Sequence, residues 1–271
     1  MQSKYTALLT LAFLGPSSAF AGGWTQPEGQ HYVKVWERSI IGDQGFFADG
    51  EVLPMDATYS DHLINAYGEY GITDLWTVTA ATSPLGTSRY GENSTPYVGA
   101  TSVGVRRALL TGGLKLAAQV NVGYAPGIGE TTLGAGTIEG RAYEWVPTVQ
   151  TGHAAGYLQV GHGLGRAWVT ADVGLKANTN DELGLAVEGS AQVGFKSHKG
   201  LVASLRIGTY QPLGDIDVPN ISGGGQTRYV GFTPEVAYWF NDHWAVGVGF
   251  GGAAAYANAA APSLQIGIEH K

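Results

Sequence analysis

The sequence predicts an all-β protein, a transmembrane antiparallel up-and-down β-barrel of about 12 strands. Three observations support this prediction. Apolar and polar residues alternate with a period of two along most of the chain, which is typical of strands with two different faces. Turn signals recur at an even spacing, and short connections alternate with longer ones. Only 14% of the residues are charged. Such a low charge content usually accompanies long apolar segments, but this chain shows alternation instead.

Composition narrows the function classes. The 271 residues include 42 glycines and no cysteine, which excludes a disulfide scaffold and a thiolate metal site. The formal net charge is −7, so the chain offers little electrostatic basis for binding nucleic acid. Sites built from histidine and carboxylate remain open.

The first 21 residues have the pattern of a secretory signal peptide. Lys4 gives a positive start, residues 6–14 are apolar, and Ala19 and Ala21 are small residues at the two cleavage-site positions. The alternative, a short buried helix, is disfavoured because Gly22-Gly23 follows at once. We therefore expect residues 1–21 to be removed and residues 22–271 to form one barrel domain.

The alternation divides the rest of the chain into twelve predicted strands. The clearest is 183–195, in which Leu185, Val187 and Val193 lie on one face and Glu188 and Gln192 on the other. The predicted strands are 30–41, 57–70, 75–83, 96–107, 114–124, 153–160, 167–176, 183–195, 201–210, 227–240, 244–255 and 262–270.

The stretch from Trp244 to Gln265 contains no charged residue and is long enough for a transmembrane helix. Its detail favours strands, because Trp244, Val246, Val248 and Phe250 alternate with small residues. Each glycine in a helix interior would also cost about 1 kcal/mol. We predict two strands here.

The connections and aromatic residues indicate two membrane interfaces. The longer connections, at 42–56, 84–95, 125–152, 177–182, 211–226 and 256–261, are expected outside the cell, and the short ones in the periplasm. Aromatic residues flank both ends of the strands, as expected at membrane interfaces: Tyr70, Trp76, Trp239, Phe240 and Trp244 at the short turns, and Tyr97, Tyr124, Tyr210, Tyr229 and Tyr256 near the long loops. A soluble β-sandwich or lipocalin-like barrel is the alternative.

Several short motifs are specific. They are the stretch from Gly23 to Gly29 leading into Tyr32 and Lys34, then residues 46–50, 70–74 and 240–244. With these motifs the chain resembles a group of Gram-negative outer-membrane barrel proteins that are transporter-like or uncharacterised, the phenol-degradation meta-pathway-like group. The resemblance implies an envelope barrel and no particular substrate. The chain lacks the terminal aromatic residue usual in such barrels.

Alternation also predicts which charged side chains face the interior. They are balanced, seven basic and six acidic: Lys34, Arg38, Arg106, Lys115, Arg166, Lys176, Arg206, Asp61, Glu69, Asp172, Glu188, Glu235 and Glu269. A barrel of twelve strands lies between those filled by side chains and open pores. Inward glycines, namely Gly184, Gly194, Gly247, Gly249 and Gly251, are expected to widen the interior locally.

The loops carry two further expectations. The loop 125–152 contains Arg141, Tyr143 and Trp145, which form a constriction if the loop folds into the barrel mouth; a free surface loop is the equal alternative. The long loops hold twelve acidic residues against Arg89 and Arg141. This charge favours approaching cations and is suited to sharing divalent ions with lipopolysaccharide.

No catalytic or metal-binding constellation stands out. Ser60 and His62 share the outward face of one predicted strand, but no partner for a relay can be assigned. The histidines lack the spacing of a metal triad. We expect no enzyme activity, cofactor or metal site.

The function predicted from sequence is a passive or weakly selective channel for a small solute in the bacterial outer membrane. The expected partners are outer-membrane lipid, lipopolysaccharide, the barrel-assembly machinery and the unknown solute, with no nucleic acid. A structural or surface-interaction barrel with functional extracellular loops is the alternative, and an outer-membrane lipid hydrolase is a third.

Overall fold

The computed structural model of the protein describes residues 22–46, 51–180, 183–214, 228–255 and 261–271. These residues form fifteen strands in chain order: β1 (His31–Phe46), β2 (Val52–Thr73), β3 (Trp76–Tyr90), β4 (Asn93–Tyr97), β5 (Thr101–Thr111), β6 (Leu114–Ala125), β7 (Gly134–Ile138), β8 (Arg141–Trp145), β9 (Thr151–Leu164), β10 (Ala167–Asn178), β11 (Leu185–Lys196), β12 (Leu201–Pro212), β13 (Tyr229–Trp239), β14 (Trp244–Ala255) and β15 (Ser263–His270).

Twelve of the strands close into one antiparallel barrel. The order is β1-β2-β3-β5-β6-β9-β10-β11-β12-β13-β14-β15, and β15 pairs back onto β1. Strand β4 pairs with the last residues of β3 to form a hairpin, and β7 and β8 form a separate two-stranded hairpin. The prediction of an all-β up-and-down barrel of twelve strands is confirmed.

No helix within the described ranges is long and apolar enough to cross a membrane.

The two ends of the barrel differ. Five short turns lie at one end, which we call the turn end, together with the start of β1 and the end of β15. The β2–β3, β5–β6 and β9–β10 turns there are only two residues long. The opposite end, the loop end, carries the longer connections. The sequence predicted this alternation of short and long links.

Strand β14 shows how the alternation sorts side chains. Trp244, Val246, Val248 and Phe250 are 42–52% exposed on the outer surface, whereas Ala245 is fully buried. The uncharged stretch from 244 to 265 therefore contributes strands to the barrel wall, as predicted. Apolar residues on the outside and polar residues within form the pattern of a barrel surrounded by lipid.

Several predicted strand ends were wrong at the loop end. Strand β1 continues to Phe46 and β2 begins at Val52, so most of the predicted loop 42–56 is a paired hairpin. Strand β3 likewise runs to Tyr90 instead of residue 83. Beyond the membrane neither face meets lipid, so the period-two signal fades while main-chain pairing continues.

Part of the predicted aromatic arrangement was also wrong. Tyr70, Trp76, Phe240 and Trp244 are exposed on the outer surface at the turn end, as expected, and Tyr124 is exposed near the loop end. Tyr97, by contrast, is only 4% exposed and hydrogen-bonds an interior carboxylate. The parity of their strands turns Tyr210 and Tyr229 inward, where their rings stack. Trp239 at the turn end also faces inward and is half-buried. Tyr256 lies outside the described residues.

Candidate functional site

The barrel interior has two unlike sides. We call the inward residues of β1, β2, β3, β5 and β6 the packed half, and those of β10, β11, β12 and β13 the open wall. Side chains in the packed half bond to one another and are almost fully buried. Those of the open wall are mostly of intermediate exposure.

Arg106 is the centre of the packed half at the turn end, and it is 1% exposed. Its guanidinium donates to Glu69 Oε1 at 2.9 Å, to Gln119 Oε1 at 2.9 Å and to the main-chain oxygen of Trp24 at 3.0 Å. The Tyr67 hydroxyl donates to the same carboxylate. Removing one partner from such a buried pair costs about 3–5 kcal/mol, so this network fixes the filling of the barrel.

A second arginine pair lies nearer the loop end. Arg38 Nη2 is 2.8 Å from Asp61 Oδ2, and both side chains are 5% exposed or less. The Tyr97 hydroxyl donates to the other oxygen of this carboxylate at 2.8 Å. Together these groups connect β1, β2 and β4 inside the barrel.

Lys34 bridges the seam where the barrel closes. Its ammonium group is 2.7 Å from Glu235 Oε2 on β13 and 3.4 Å from Glu269 Oε1 on β15. Glu269 stands directly opposite Lys34 in the β1–β15 register. The ion pairs therefore connect three strands through the interior, across β14.

The open wall carries polar groups that are not fully covered. The Ser190 hydroxyl donates to Asp172, and Arg206 Nη2 donates to the Ser190 oxygen at 3.3 Å. Lys176 Nζ is 3.3 Å from Glu188 Oε1, and these two side chains are 21% and 22% exposed. The arginine pairs of the packed half are 5% exposed or less. The described polar groups of the open wall are therefore more accessible than those of the packed half.

The other two predicted interior residues lie at the turn end. Lys115 Nζ donates to the main-chain oxygen of Thr111. Arg166 belongs to the β9–β10 turn rather than to a strand, and its side chain lines the turn-end cavity described below. The predicted strand 167–176 also began after Arg166, which continues the inward parity of Trp168 beyond the strand.

The β7–β8 hairpin packs against the loop end of the packed half. Trp145 is 1% exposed, donates from Nε1 to Ser88 Oγ at 2.8 Å, and lies 4.5 Å from the Tyr59 ring. Tyr143 donates to Asp56 Oδ1 at 2.8 Å, and burial raises the pKa of its phenol. Arg141 pairs with Glu51 at the hairpin edge. These are the contacts of a hairpin held at the mouth, one of the two arrangements considered from sequence.

At the turn end, residues 22–26 run inside the barrel mouth, and residues 27–30 follow its rim beside Gly71 at the end of β2. The main-chain N–H of Gln26 donates to Thr77 Oγ1 at 2.8 Å, and the side-chain Nε2 of Gln26 donates to Glu69 Oε2 at 2.7 Å. The indole of Trp24 covers Gly161 on β9. The segment thus narrows the mouth from β2 across to β9.

A cavity of about 720 Å³ opens beside this segment, and we call it the vestibule. Its wall includes Trp24, Trp168, Thr170, Gln192 and Trp239. Basic side chains stand around it: Arg166, Lys196, His198 and Lys271. It lies directly below the open wall, because Thr170 and Gln192 are the next inward residues after Asp172 and Ser190.

Two positions were not recognised from sequence as part of a site. Trp24 belongs to a motif that indicated only an envelope barrel, and nothing in the sequence shows that this segment folds back into the mouth. Trp168 is an even number of residues from Asp172 and Lys176, so the alternation in the sequence already predicts that it points inward. An aromatic residue at this position does not by itself indicate a function.

A polar cluster lies on the outward face of β1 and β2. His62 Nδ1 is 2.9 Å from Ser39 Oγ and 3.3 Å from Glu37 Oε1. A hydrolytic relay requires the acid on the ring nitrogen that does not face the serine. Here both partners share one nitrogen, so the arrangement does not form a relay. No group of three or more metal-ligating side chains occurs in the described part of the chain.

A closed twelve-stranded barrel with a polar interior and an apolar outer belt has the fold of outer-membrane β-barrel proteins. The chain matches no family model and no curated protein. Among solved structures it is similar to the COG4313 outer membrane channel from Pseudomonas putida F1, with a TM-score of 0.66 and 14% identity over 95% of this chain and 99% of that one.

The chain is also similar to the NanC porin, with a TM-score of 0.56 and 7% identity over 88% of this chain and 99% of that one. The KdgM porin in complex with disordered oligogalacturonate gives a TM-score of 0.50 and 6% identity, over 88% and 98%. At these identities the likeness shows a shared fold.

Proposed function

We propose that the protein is a channel of the bacterial outer membrane that conducts small polar solutes along the open wall. The observation that carries this proposal is the unequal filling of the interior. The packed half is closed by buried ion pairs, whereas Asp172, Lys176, Glu188 and Arg206 line a polar wall that is only partly covered. The proposal is supported by the similarity of the fold to solved structures of outer-membrane channels and porins.

The orientation follows from the architecture of outer-membrane barrels, in which short turns face the periplasm and longer loops face outward. The turn end is then periplasmic, and the acidic loops meet lipopolysaccharide and its divalent ions. Insertion by the barrel-assembly machinery belongs to this same proposal. A solute entering at the loop end passes the open wall and leaves through the vestibule.

A bulky substitution on the open wall tests the path. We expect Ser204→Trp to lower single-channel conductance in planar bilayers, because Ser204 points inward on β12 and bonds Gln192 at 3.0 Å. Ala203→Trp is the matched control, since Ala203 is the neighbouring residue and faces outward. Equal conductance in the two variants would contradict the path, and a wild-type protein without conductance would contradict the channel.

We further propose that the protein catalyses no covalent reaction. The outward cluster of Glu37, Ser39 and His62 lacks the geometry of a relay. The test is hydrolysis of phospholipid in mixed micelles by purified protein. Hydrolysis that disappears in Ser39→Ala or Ser60→Ala would overturn this part of the proposal.

A further inference from the structure

The vestibule is positively charged in a protein whose net charge is −7. Arg166, Lys196 and Lys271 all line it. Their side chains form no ion pair with any carboxylate among the described residues. The one carboxylate on its wall, Glu69, is already bound by Arg106 at 2.9 Å. The cavity wall thus carries more basic than acidic side chains.

Aromatic side chains form the apolar part of the same cavity. Trp168 lies against Gly194, and Trp24 lies against Gly161, so both indoles are seated on the barrel wall. The third ring, Trp239, has the Lys271 ammonium 4.1 Å from its centroid. Partial burial, together with the charge of Lys196, lowers the pKa of Lys271.

A buried hydroxyl group without a partner also lies on this wall. Thr170 is 8% exposed, and its Oγ1 has no hydrogen-bond partner among the residues that the structure describes. Buried polar atoms are usually paired, and an unpaired one is explained by an absent ligand or water. Thr170 therefore supplies a hydrogen-bonding group beside the indoles and the cations.

We infer that the vestibule binds a small organic anion with a flat apolar face, such as an aromatic carboxylate. Arg166 and Lys196 are placed to receive the carboxylate, and the indoles of Trp24 and Trp168 to contact the flat face. The volume of about 720 Å³ lies in the range of about 300–1,000 Å³ typical of small-molecule sites. The inference rests on the proposed function, since it names the solute class at the periplasmic end of the same path.

Binding is tested without measuring current, on the full chain refolded in detergent. Calorimetric titration with benzoate is compared with benzamide, which keeps the ring without the charge, and acetate, which keeps the charge without the ring. We expect benzoate to bind at least about tenfold more tightly than benzamide, which makes no charge-assisted hydrogen bond. We expect it also to bind more tightly than acetate, which buries no flat apolar face against the indoles.

Variants locate the site. Arg166→Gln combined with Lys196→Gln is expected to weaken benzoate binding about tenfold or more, and Trp168→Leu to weaken benzoate more than acetate. Lys199→Gln is the matched control, because Lys199 is in the same turn as His198 but does not line the cavity. Each variant is first checked for the heat-dependent gel shift of a folded barrel.

The inference is overturned if benzoate binds no better than benzamide, or if Lys199→Gln weakens binding as much as the Arg166 and Lys196 pair does. The experiments distinguish failure of this inference from failure of the proposed function. A protein that conducts ions but does not bind benzoate refutes the site alone. A protein that binds benzoate in detergent but never conducts refutes the channel alone.

Discussion

At the scale of single residues, inward glycines act mainly as seats for aromatic rings. A Cβ at Gly161 would lie 2.4 Å from the Trp24 ring, and one at Gly194 would lie 2.0 Å from the Trp168 ring. The expectation that Gly194 widens the interior was therefore wrong. Gly247 and Gly249 do leave room, since a Cβ at either would meet only neighbours at 3.4 Å or more.

Two other glycines, Gly184 and Gly251, also do not widen the interior as the sequence predicted. Gly184 lies in a turn with a φ of 47° rather than on the interior wall. A Cβ at Gly251 would come within 2.8 Å of Thr233 Oγ1, so the space there is already taken. Sequence reveals which glycines point inward, but not which neighbouring ring covers them.

Gly161→Ala is predicted to displace the Trp24 indole and to loosen residues 22–26 in the periplasmic mouth. Overpacking of this kind costs about 1–3 kcal/mol, which a folded barrel tolerates. We expect higher single-channel conductance than in the wild type, with an unchanged gel shift on heating.

Gly163→Ala is the control for that substitution. Gly163 lies two residues further along β9 and lines the same vestibule, yet nothing lies within 4 Å of a Cβ placed there. Equal conductance for the two alanine variants would show that the Trp24 contact does not restrict the mouth.

At the scale of elements, the β7–β8 hairpin is held by one aromatic cluster. Tyr59, Tyr90, Tyr143 and Trp145 pack together, with Tyr90 and Trp145 stacked at 5.8 Å. The barrel strands themselves do not depend on this cluster, since their ladders close without it. The hairpin is thus an attachment whose release leaves the barrel intact.

Trp145→Ala is predicted to free the hairpin from the loop end. Truncating a buried tryptophan costs about 3–5 kcal/mol of stability. This loss exceeds the free energy that the other contacts of so short a hairpin supply to hold it in place. We expect trypsin to cut at Arg141 much faster on intact cells, with the variant barrel still folded. Thr137→Ala, near the hairpin tip, is the control; if it accelerates cleavage as much, the cluster does not hold the hairpin.

The sequence predicted the barrel elements well and the attachments poorly. Strand number and side-chain direction follow from alternation, because lipid outside and polar groups inside impose a period of two on every strand. The β7–β8 hairpin and residues 22–30 carry no such period. Their positions depend on particular contacts, such as Trp145 with Ser88 and Trp24 with Gly161, which link residues far apart in the chain.

At the scale of the whole molecule, charge is divided between the two mouths. The long loops are acidic, whereas the vestibule is ringed by Arg166, Lys196 and Lys271. Each mouth therefore concentrates ions of opposite sign to its own charge. Cations gather at the loop end and anions at the turn end.

This division predicts that the channel rectifies current. When the loop side is positive, both kinds of ion are driven in from the mouths where they are concentrated, so the current is larger than at the opposite polarity. The asymmetry should be stronger in 0.1 M than in 1 M salt, because the screening length falls from about 10 Å to about 3 Å.

The measurement requires a known orientation in the bilayer. The chain has no cysteine, so Thr137→Cys places a single thiol at the loop end for one-sided labelling. Neutralising Arg166 and Lys196 with glutamine should reduce the rectification. A symmetric current in 0.1 M salt would contradict the proposed division of charge.

The seam between β1 and β15 gives the barrel an order of assembly in time. The two ion-pair partners of Lys34, Glu235 and Glu269, lie on β13 and β15. Strand β1 therefore keeps an open edge, and Lys34 lacks its partners, until the last strands of the chain are in place. Pairs this far apart in sequence close slowly. Before closure, β1 and β15 each expose an unpaired edge that can pair with another chain, and closure of the barrel removes both edges at once.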